Sequence, residues 1–423
     1  MTFLDAPLVA VVVDPSSTGA LLAREVHQRG YAVLALWSNC LVWRDTAAGF
    51  EFLAEVEEQA TVAETLEVLR QSAACLPIAA VFCGLDTGVM LADVLAQHLQ
   101  LRGNRPMARG DKQVQQDAVK AANLRSTRSV KGTDWNSVKA FAETEGFPII
   151  IKPAGSAGSY GVKLCHNACE AETHFRQLSW QLQLQGRRNR EVLLQEYLKG
   201  TQYVVDHVSR DGVHKTTMVW VCDRGPANGG YVCFQQQCVT ADTAVARQVI
   251  AYTRACLDAL SITEGATHAE VMMTETGPCL VEVNVRCHGA GGVWMPLARA
   301  FAGYTQVDAY VDALGDGAAP FEQLPDVPPS GSKGSGLLLP LSSYHDGHIR
   351  STHFEKVREL QSVLLVKECV HPGTRVEKTR DDLGYVGMCA LWHRDPAVLA
   401  SDVEAIREME QKGSILVLHN EAR

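Results

Sequence analysis

His268-Ala269-Glu270-Val271-Met272-Met273-Thr274-Glu275-Thr276-Gly277-Pro278-Cys279-Leu280-Val281-Glu282-Val283-Asn284-Val285-Arg286 is the stretch that decides the fold of this chain. From Val281 to Arg286 apolar and polar residues alternate. The spacing predicts a strand with Val281, Val283 and Val285 on one face and Glu282, Asn284 and Arg286 on the other. Thr274–Pro278 reads as the turn that joins it to a first strand. With 274–278 as the loop, 273 faces 279, and the same register sets Glu270 opposite Glu282 and His268 opposite Asn284. Directly opposed Cβ atoms lie about 5 Å apart. Two carboxylates so placed repel unless a cation sits between them. With the amide oxygen of Asn284 they make a hard oxygen set that suits Mg²⁺ or Mn²⁺. Mg²⁺ keeps positions open for phosphate oxygens, so the pattern suits a Mg–nucleotide site. A solvated strand face would alternate as well, but it gives no reason for Glu opposite Glu beside Arg286 and the Gly289–Gly292 run.

Upstream, the apolar strand Pro148–Lys152 ends in a lysine and runs into Pro153-Ala154-Gly155-Ser156-Ala157-Gly158-Ser159-Tyr160-Gly161. Glycines let backbone N–H groups approach phosphate oxygens, and Lys152 adds positive charge. A strand follows the loop and no G-K-[ST] is present, so this is no Walker A loop; a flexible surface turn has the same composition. Leu193-Leu194-Gln195-Glu196-Tyr197-Leu198 is an apolar strand with a polar end, either an adenine slot or an ordinary strand end. Before Arg102 the order is strand (8–13), helix, strand (31–36), then strand (79–83) and helix (88–99), an open parallel α/β unit. Its strand tips carry Asp14, Ser17, Thr18, Asp86 and Thr87, where ligands favour binding. Ser17-Thr18-Gly19 also reads as a helix cap. The unit lacks G-x-G-x-x-G, which disfavours a nicotinamide oxidoreductase.

The 423 residues, 46% hydrophobic and 21% charged, suit a globular enzyme of several domains. A net charge of −9 argues against nucleic acid as partner. No apolar run reaches the roughly 18 residues of a membrane span. Thirteen cysteines, none in C-x-x-C spacing, and a start without signal-peptide character read as free thiols in a reducing cytoplasm.

Taken together, Asp111-Lys112, Lys152 with its glycine flap, Gln195–Leu198 and the Glu270/Glu282-x-Asn284-x-Arg286 set resemble the ATP-grasp superfamily, in the family's order. Gly265-Ala266-Thr267-His268-Ala269-Glu270 and Arg286…Gly289-x-Gly291-Gly292 look most like the bacterial L-amino acid ligases and carnosine-synthase-like enzymes. The resemblance implies an α/β N-terminal domain with an open parallel sheet over 1–104. It implies an α+β ATP-grasp domain over 105–330 with a lid over 130–198, and a small α+β C-terminal domain over 331–423. It implies that Lys112 and Lys152 hold ATP phosphates under a flap of Ser156, Ala157, Gly158, Ser159 and Gly161. Gln195, Glu196, Tyr197 and Leu198 would take adenine; Gln202 stands where many relatives have a ribose-binding Glu. Glu270, Glu282 and Asn284 would bind Mg²⁺ (or Mn²⁺).

The implied reaction is ATP-dependent ligation of a carboxylate to an amine through an acyl phosphate, releasing ADP and phosphate. Arg286 with Gly289 and Gly292 would stabilise the oxyanion. His268 is either the base that deprotonates the amine or a structural histidine; Asp206 and His288 are further amine contacts. Trp294 and Met295 either wall the amino acid pocket or pack in the core. A homodimer is implied too. The alternatives are a carboxylase-type enzyme activating bicarbonate and a non-catalytic nucleotide-binding regulator.

Overall fold

The run Val9-Ala10-Val11-Val12-Val13 contains no side chain suited to water, and it forms β1 (Val9–Val13), buried along its whole length. With β2 (Ala32–Trp37), β3 (Ala54–Glu57) and β4 (Ile78–Cys83) it makes a parallel sheet of order β3-β2-β1-β4. Helices α1 (Thr18–Gln28), α2 (Val62–Ser72) and α3 (Val89–His98) connect and flank these strands. This computed structural model describes residues 7–40, 44, 49–154, 161–179, 191–228, 230–315, 317–329 and 334–419. The sequence reading passed over β3 and α2. Ala54-Glu55-Val56-Glu57 buries only Val56, too little periodicity to register as a strand.

The segment from Arg102 to Lys112, read as a polar linker, has neither helix nor strand until a helix begins at Lys112, but it is firmly packed. Arg109 is buried, pairs with Asp93 at 2.9 Å and donates to the carbonyls of Leu260 and Ser261 at 3.0 Å each. Next come α4 (Lys112–Ala121), β5 (Ser129–Gly132), α5 (Trp135–Glu145), β6 (Ile149–Pro153), β7 (Lys163–Cys165), α6 (Ala168–Leu178) and β8 (Val192–Glu196). The strands form an antiparallel sheet of order β5-β8-β6-β7. Its own small core holds Trp135, Phe175, Ile149 and Leu194.

β9 (Gly200–Arg210) and β10 (Val213–Ala227) are joined by Asp211-Gly212, both with positive φ, the backbone a two-residue hairpin turn needs. β11 (Gly230–Cys238), α7 (Ala244–Ala259), β12 (Gly265–Thr274) and β13 (Gly277–Asn284) follow, then α8 (Met295–Ala302), α9 (Gln306–Leu314) and α10 (Ala319–Gln323). The C-terminal part contributes β14 (Ser335–Leu341), β15 (Gly347–Thr352), α11 (Glu355–Arg358), β16 (Val363–Glu368), β17 (Arg375–Val376), β18 (Gly387–His393), α12 (Pro396–Gln411) and β19 (Leu416–Leu418).

The central sheet runs β13-β12-β9-β10-β11-β14-β18-β16, so three C-terminal strands continue it. The join is Gln236 and Gln237 of β11 opposite Leu338 and Leu337 of β14. The boundary expected between 330 and 331 therefore falls between strands of one sheet.

Candidate active site

β12 and β13 pair antiparallel with Glu270 opposite Glu282 and His268 opposite Asn284, as the sequence predicts. The route to that register differs from the expected one. The strands close on a two-residue turn, Glu275-Thr276, with Thr274 opposite Gly277 and Met272 opposite Cys279. A bulge between Glu270 and Val271 then skips Val281 and restores the Glu270–Glu282 pair. In a bulge two residues of one strand oppose one of its partner, and the alternation breaks there. Val281, expected on the face of Val283 and Val285, is half-buried and lines the same cleft as Glu282, while Val283 and Val285 stay in the core.

Around the carboxylates the charges are arranged in layers. Asp111 caps α4, its side chain accepting from the N–H groups of Gln113 and Val114, and so sets Lys112 on the first turn. The Lys112 ammonium meets Glu282 at 2.9 Å, and Asn284 Nδ2 donates to Glu282 at 3.3 Å. Burial works against charge on Glu282, but Lys112 and Lys152 overcome it and hold the carboxyl well below its usual range. Burial and the charge of Glu282 push Glu270 upward. Lys152, at the end of β6, is buried without an ion-pair partner among the described residues; burial and Lys112 bring it down to about 8. Gln202, expected near a ribose, donates to Glu270 at 2.8 Å.

One cleft joins Lys112, Lys152, Gln195–Leu198, Gln202, Glu270 and Glu282. The Glu196 carboxylate is taken up by Arg125 (3.0 Å), Arg128 Nη2 (2.6 Å) and the Arg128 N–H (2.7 Å), so it offers the cleft its backbone. Leu198 is buried and Tyr197 exposed. The sequence reading missed three members: Tyr231 and Arg224 from the strand pair β10–β11, and Asp382 from the C-terminal part, ion-paired to Arg224 at 2.9 Å. Only their meeting across about 160 residues of chain marks them, which no local motif records. Of the flap, Ser156, Ala157, Gly158 and Ser159 lie outside the described residues. Gly161 follows them with a φ of 72°, its carbonyl on His174.

Arg286 leaves the hairpin and binds Asp86 of the first domain, at 2.9 Å through Nε and 2.8 Å through Nη2. The first-domain tip at 17–18 does not cap α1 with a side chain. Ser17 Oγ accepts from the Gly291 N–H at 3.1 Å, and Thr18 Oγ1 donates to the carbonyls of His288 and Gly289 at 2.8 Å each. Gly292 donates to the Gly289 carbonyl at 3.3 Å, so of the glycines read as oxyanion donors Gly289 is the one left for a ligand. Trp294 is wholly buried, its ring stacked on His288 at 5.5 Å, which places it in the core; Met295 is half-buried.

Behind Arg286, buried Asp206 accepts from His268 Nδ1 at 2.8 Å, His288 Nδ1 at 3.1 Å and Trp220 Nε1 at 2.7 Å. The two histidines outweigh its burial and keep Asp206 ionised. Burial brings His288 down to about 4, so its ring is neutral. With Nδ1 donating to Asp206, the neutral His288 ring carries its lone pair on Nε2, and His268 is held by the same carboxylate through its own Nδ1.

The donor set fits the divalent cation that the sequence implies. Glu270 and Glu282 face each other with an amide beside them, and a cation between them would offset both the burial and the mutual repulsion that push Glu270 upward. Comparison with known proteins agrees with this geometry. Residues 110–290 match the family model "Phosphoribosylglycinamide synthetase, ATP-grasp (A) domain". Dapdiamide A synthase of Enterobacter agglomerans is 26% identical over 97% of this chain and 97% of its own. The L-amino acid ligase of Bacillus licheniformis superposes with a TM-score of 0.76 at 14% identity, over 98% of this chain and 99% of the other. N5-carboxyaminoimidazole synthetase of Staphylococcus aureus, solved with ADP, shares the fold at a TM-score of 0.67 and 12% identity, over 96% and 100% of the two chains.

Proposed function

The chain belongs to the ATP-grasp superfamily, and from that membership we propose that it is an ATP-dependent carboxylate–amine ligase. It joins an amino acid or small carboxylic acid to an amine or amino acid. The observation that carries this reading is the opposed Glu270–Glu282 pair, with Lys112 on one carboxylate and Lys152 unpaired in the same cleft. The full-length similarity to dapdiamide A synthase supports ligation over activation of bicarbonate.

In this reading Lys112 and Lys152 bind the phosphates. The backbone of Glu196–Leu198 receives adenine. Glu270, Glu282 and Asn284 hold Mg²⁺, which when bound offsets phosphate charge and polarises the γ-phosphoryl group. A carboxylate oxygen of the acid attacks the γ-phosphorus and ADP leaves, giving an acyl phosphate. The amine nitrogen then attacks the acyl carbon, phosphate leaves, and the nitrogen gives up a proton. Arg286 and the Gly289 N–H stabilise the oxyanion of that second step. Asp206 orients His268 so that Nε2 takes the proton. No side chain forms a covalent intermediate. We infer that the enzyme works as a homodimer, and that it works in the cytoplasm, in keeping with thirteen cysteines of which none forms a disulfide; no helix among the described residues is long and apolar enough to cross a membrane.

The test is ADP and phosphate release with Mg–ATP across pairs of amino acids, with bicarbonate as a separate arm. Release requires two substrates, stops with EDTA, and falls at least about 1000-fold in Glu282→Ala. Release of AMP would mean adenylation and overturn the mechanism. Turnover with bicarbonate alone would favour the carboxylase.

A further inference from the structure

Lys367 lies on β16, the outermost C-terminal strand of the central sheet, yet its ammonium reaches the glycine turn that follows Arg286. A Cβ built on Gly291 would overlap Nζ and stand 3.2 Å from Cε. Gly291 has a φ of 61°, so the turn takes a conformation that glycine favours and leaves the notch that Lys367 fills. The first domain pins this turn through Ser17 and Thr18. At its other end, Nη1 of Arg286 is 3.9 Å from a Cβ built on Gly289. Lys112, Arg224 and Arg286 are each ion-paired, to Glu282, Asp382 and Asp86. Lys367 is half-buried and has neither a carboxylate nor a hydrogen-bond partner among the described residues.

We propose that Lys367, seated on Gly291, binds the carboxylate of the amine substrate, so that the acceptor is an α-amino acid and not a simple amine. The inference rests on the ligase reading and follows from its charge balance. The acid loses its carboxylate oxygen to phosphate, and the amine nitrogen becomes an amide. An acceptor with a carboxylate of its own would keep that full negative charge from substrate to product. It needs a cation that no protein carboxylate already neutralises, and a charge-assisted hydrogen bond from Lys367 supplies one. An acceptor anchored on the Gly291 side has its amino group free to turn back along the glycine turn towards Arg286, where the acyl group reacts.

Lys367→Met and wild type are compared with the proteinogenic L-amino acids and their C-terminal amides as acceptors. ADP release is read at saturating Mg–ATP and acid donor. Wild type is expected to prefer acid acceptors over amides by about 10- to 100-fold in kcat/KM, the worth of one hydrogen bond to a charged group. Lys367→Met loses that preference through a higher acceptor KM, with the KM for Mg–ATP unchanged. Lys367→Arg regains part of it, and Gly291→Ala, whose methyl displaces the ammonium, shifts in the same direction as Lys367→Met. Equal use of acids and amides by wild type, or a preference intact in Lys367→Met, overturns the assignment and leaves the ligase standing. No ADP release by wild type with any pair overturns the ligase reading, and the acceptor site falls with it.

Discussion

Lys152 is a buried ammonium with no close ion-pair partner among the described residues, an expensive placement that a polyphosphate makes sense of. Burial and Lys112 bring it down to about 8, so in the free protein it is charged below that pH and neutral above it. The KM for Mg–ATP is therefore expected to rise as pH climbs through about 8, by up to about tenfold. Lys152→Arg keeps its charge and flattens the profile. A flat wild-type profile from about pH 7 to 9 would remove Lys152 from phosphate binding. Single residues of this kind were legible in the sequence, because a lysine closing an apolar strand and glutamates at alternate positions carry their own context. Arg224, Tyr231 and Asp382 were not: their strands look like ordinary β-structure, and only the folded sheet brings Asp382 to Arg224. Ser17 and Thr18 looked like a cap because the local pattern is one, while their partners lie more than 250 residues away.

Among the elements, α4 does more than present Lys112. β13 is an edge strand, and its free side is covered by two glutamine side chains of α4. Gln115 Oε1 accepts from the Val283 N–H and its Nε2 donates to the Val283 carbonyl, both at 2.8 Å, as a neighbouring strand would. Gln116 Nε2 donates to the Leu280 carbonyl at 3.1 Å. These bonds fix the backbone on either side of Glu282 and close an edge open to pairing. Gln115→Ala leaves a buried N–H and C=O unsatisfied, and is expected to cost about 2–4 kcal/mol in urea unfolding and to raise the KM for Mg–ATP. A stability loss under about 0.5 kcal/mol would mean that water replaces the amide. The hairpin was legible from its alternation, and the carboxylate register came out right although the turn is shorter than expected. A five-residue loop and a two-residue loop with a bulge both bring Glu270 to Glu282, and alternation alone cannot separate them.

Across the whole molecule, the central sheet welds the C-terminal part to the nucleotide cleft. Leu338 and Ala390 share a core with Trp220, Trp294 and Leu297, and Asp382 reaches the cleft itself. A chain ending at residue 329 would keep both site lysines and all three proposed metal ligands. It would also uncover the edge of β11 and leave Arg224 without Asp382. It is expected to aggregate on size-exclusion chromatography; a monodisperse, active fragment would show that the C-terminal strands are dispensable. The order of the three parts was legible in the sequence, because the parallel α/β pattern and the motif order are local. The continuity of the sheet was not, since it depends on two residue pairs between β11 and β14, elements about 100 residues apart.

The bulge at Val281 gives the hairpin one residue of slack. The chain between the tip and the carboxylates is longer by one on β13 than on β12. Removing Val281 would yield a regular ladder that still sets Glu282 against Glu270. Removing Leu280 or Val283 would disturb the core instead, since both are buried. Val281 is thus the position where an insertion or deletion could enter this hairpin during descent without separating the two carboxylates. What the extra residue contributes is an oily side chain on the charged face, a local dry patch beside the ions.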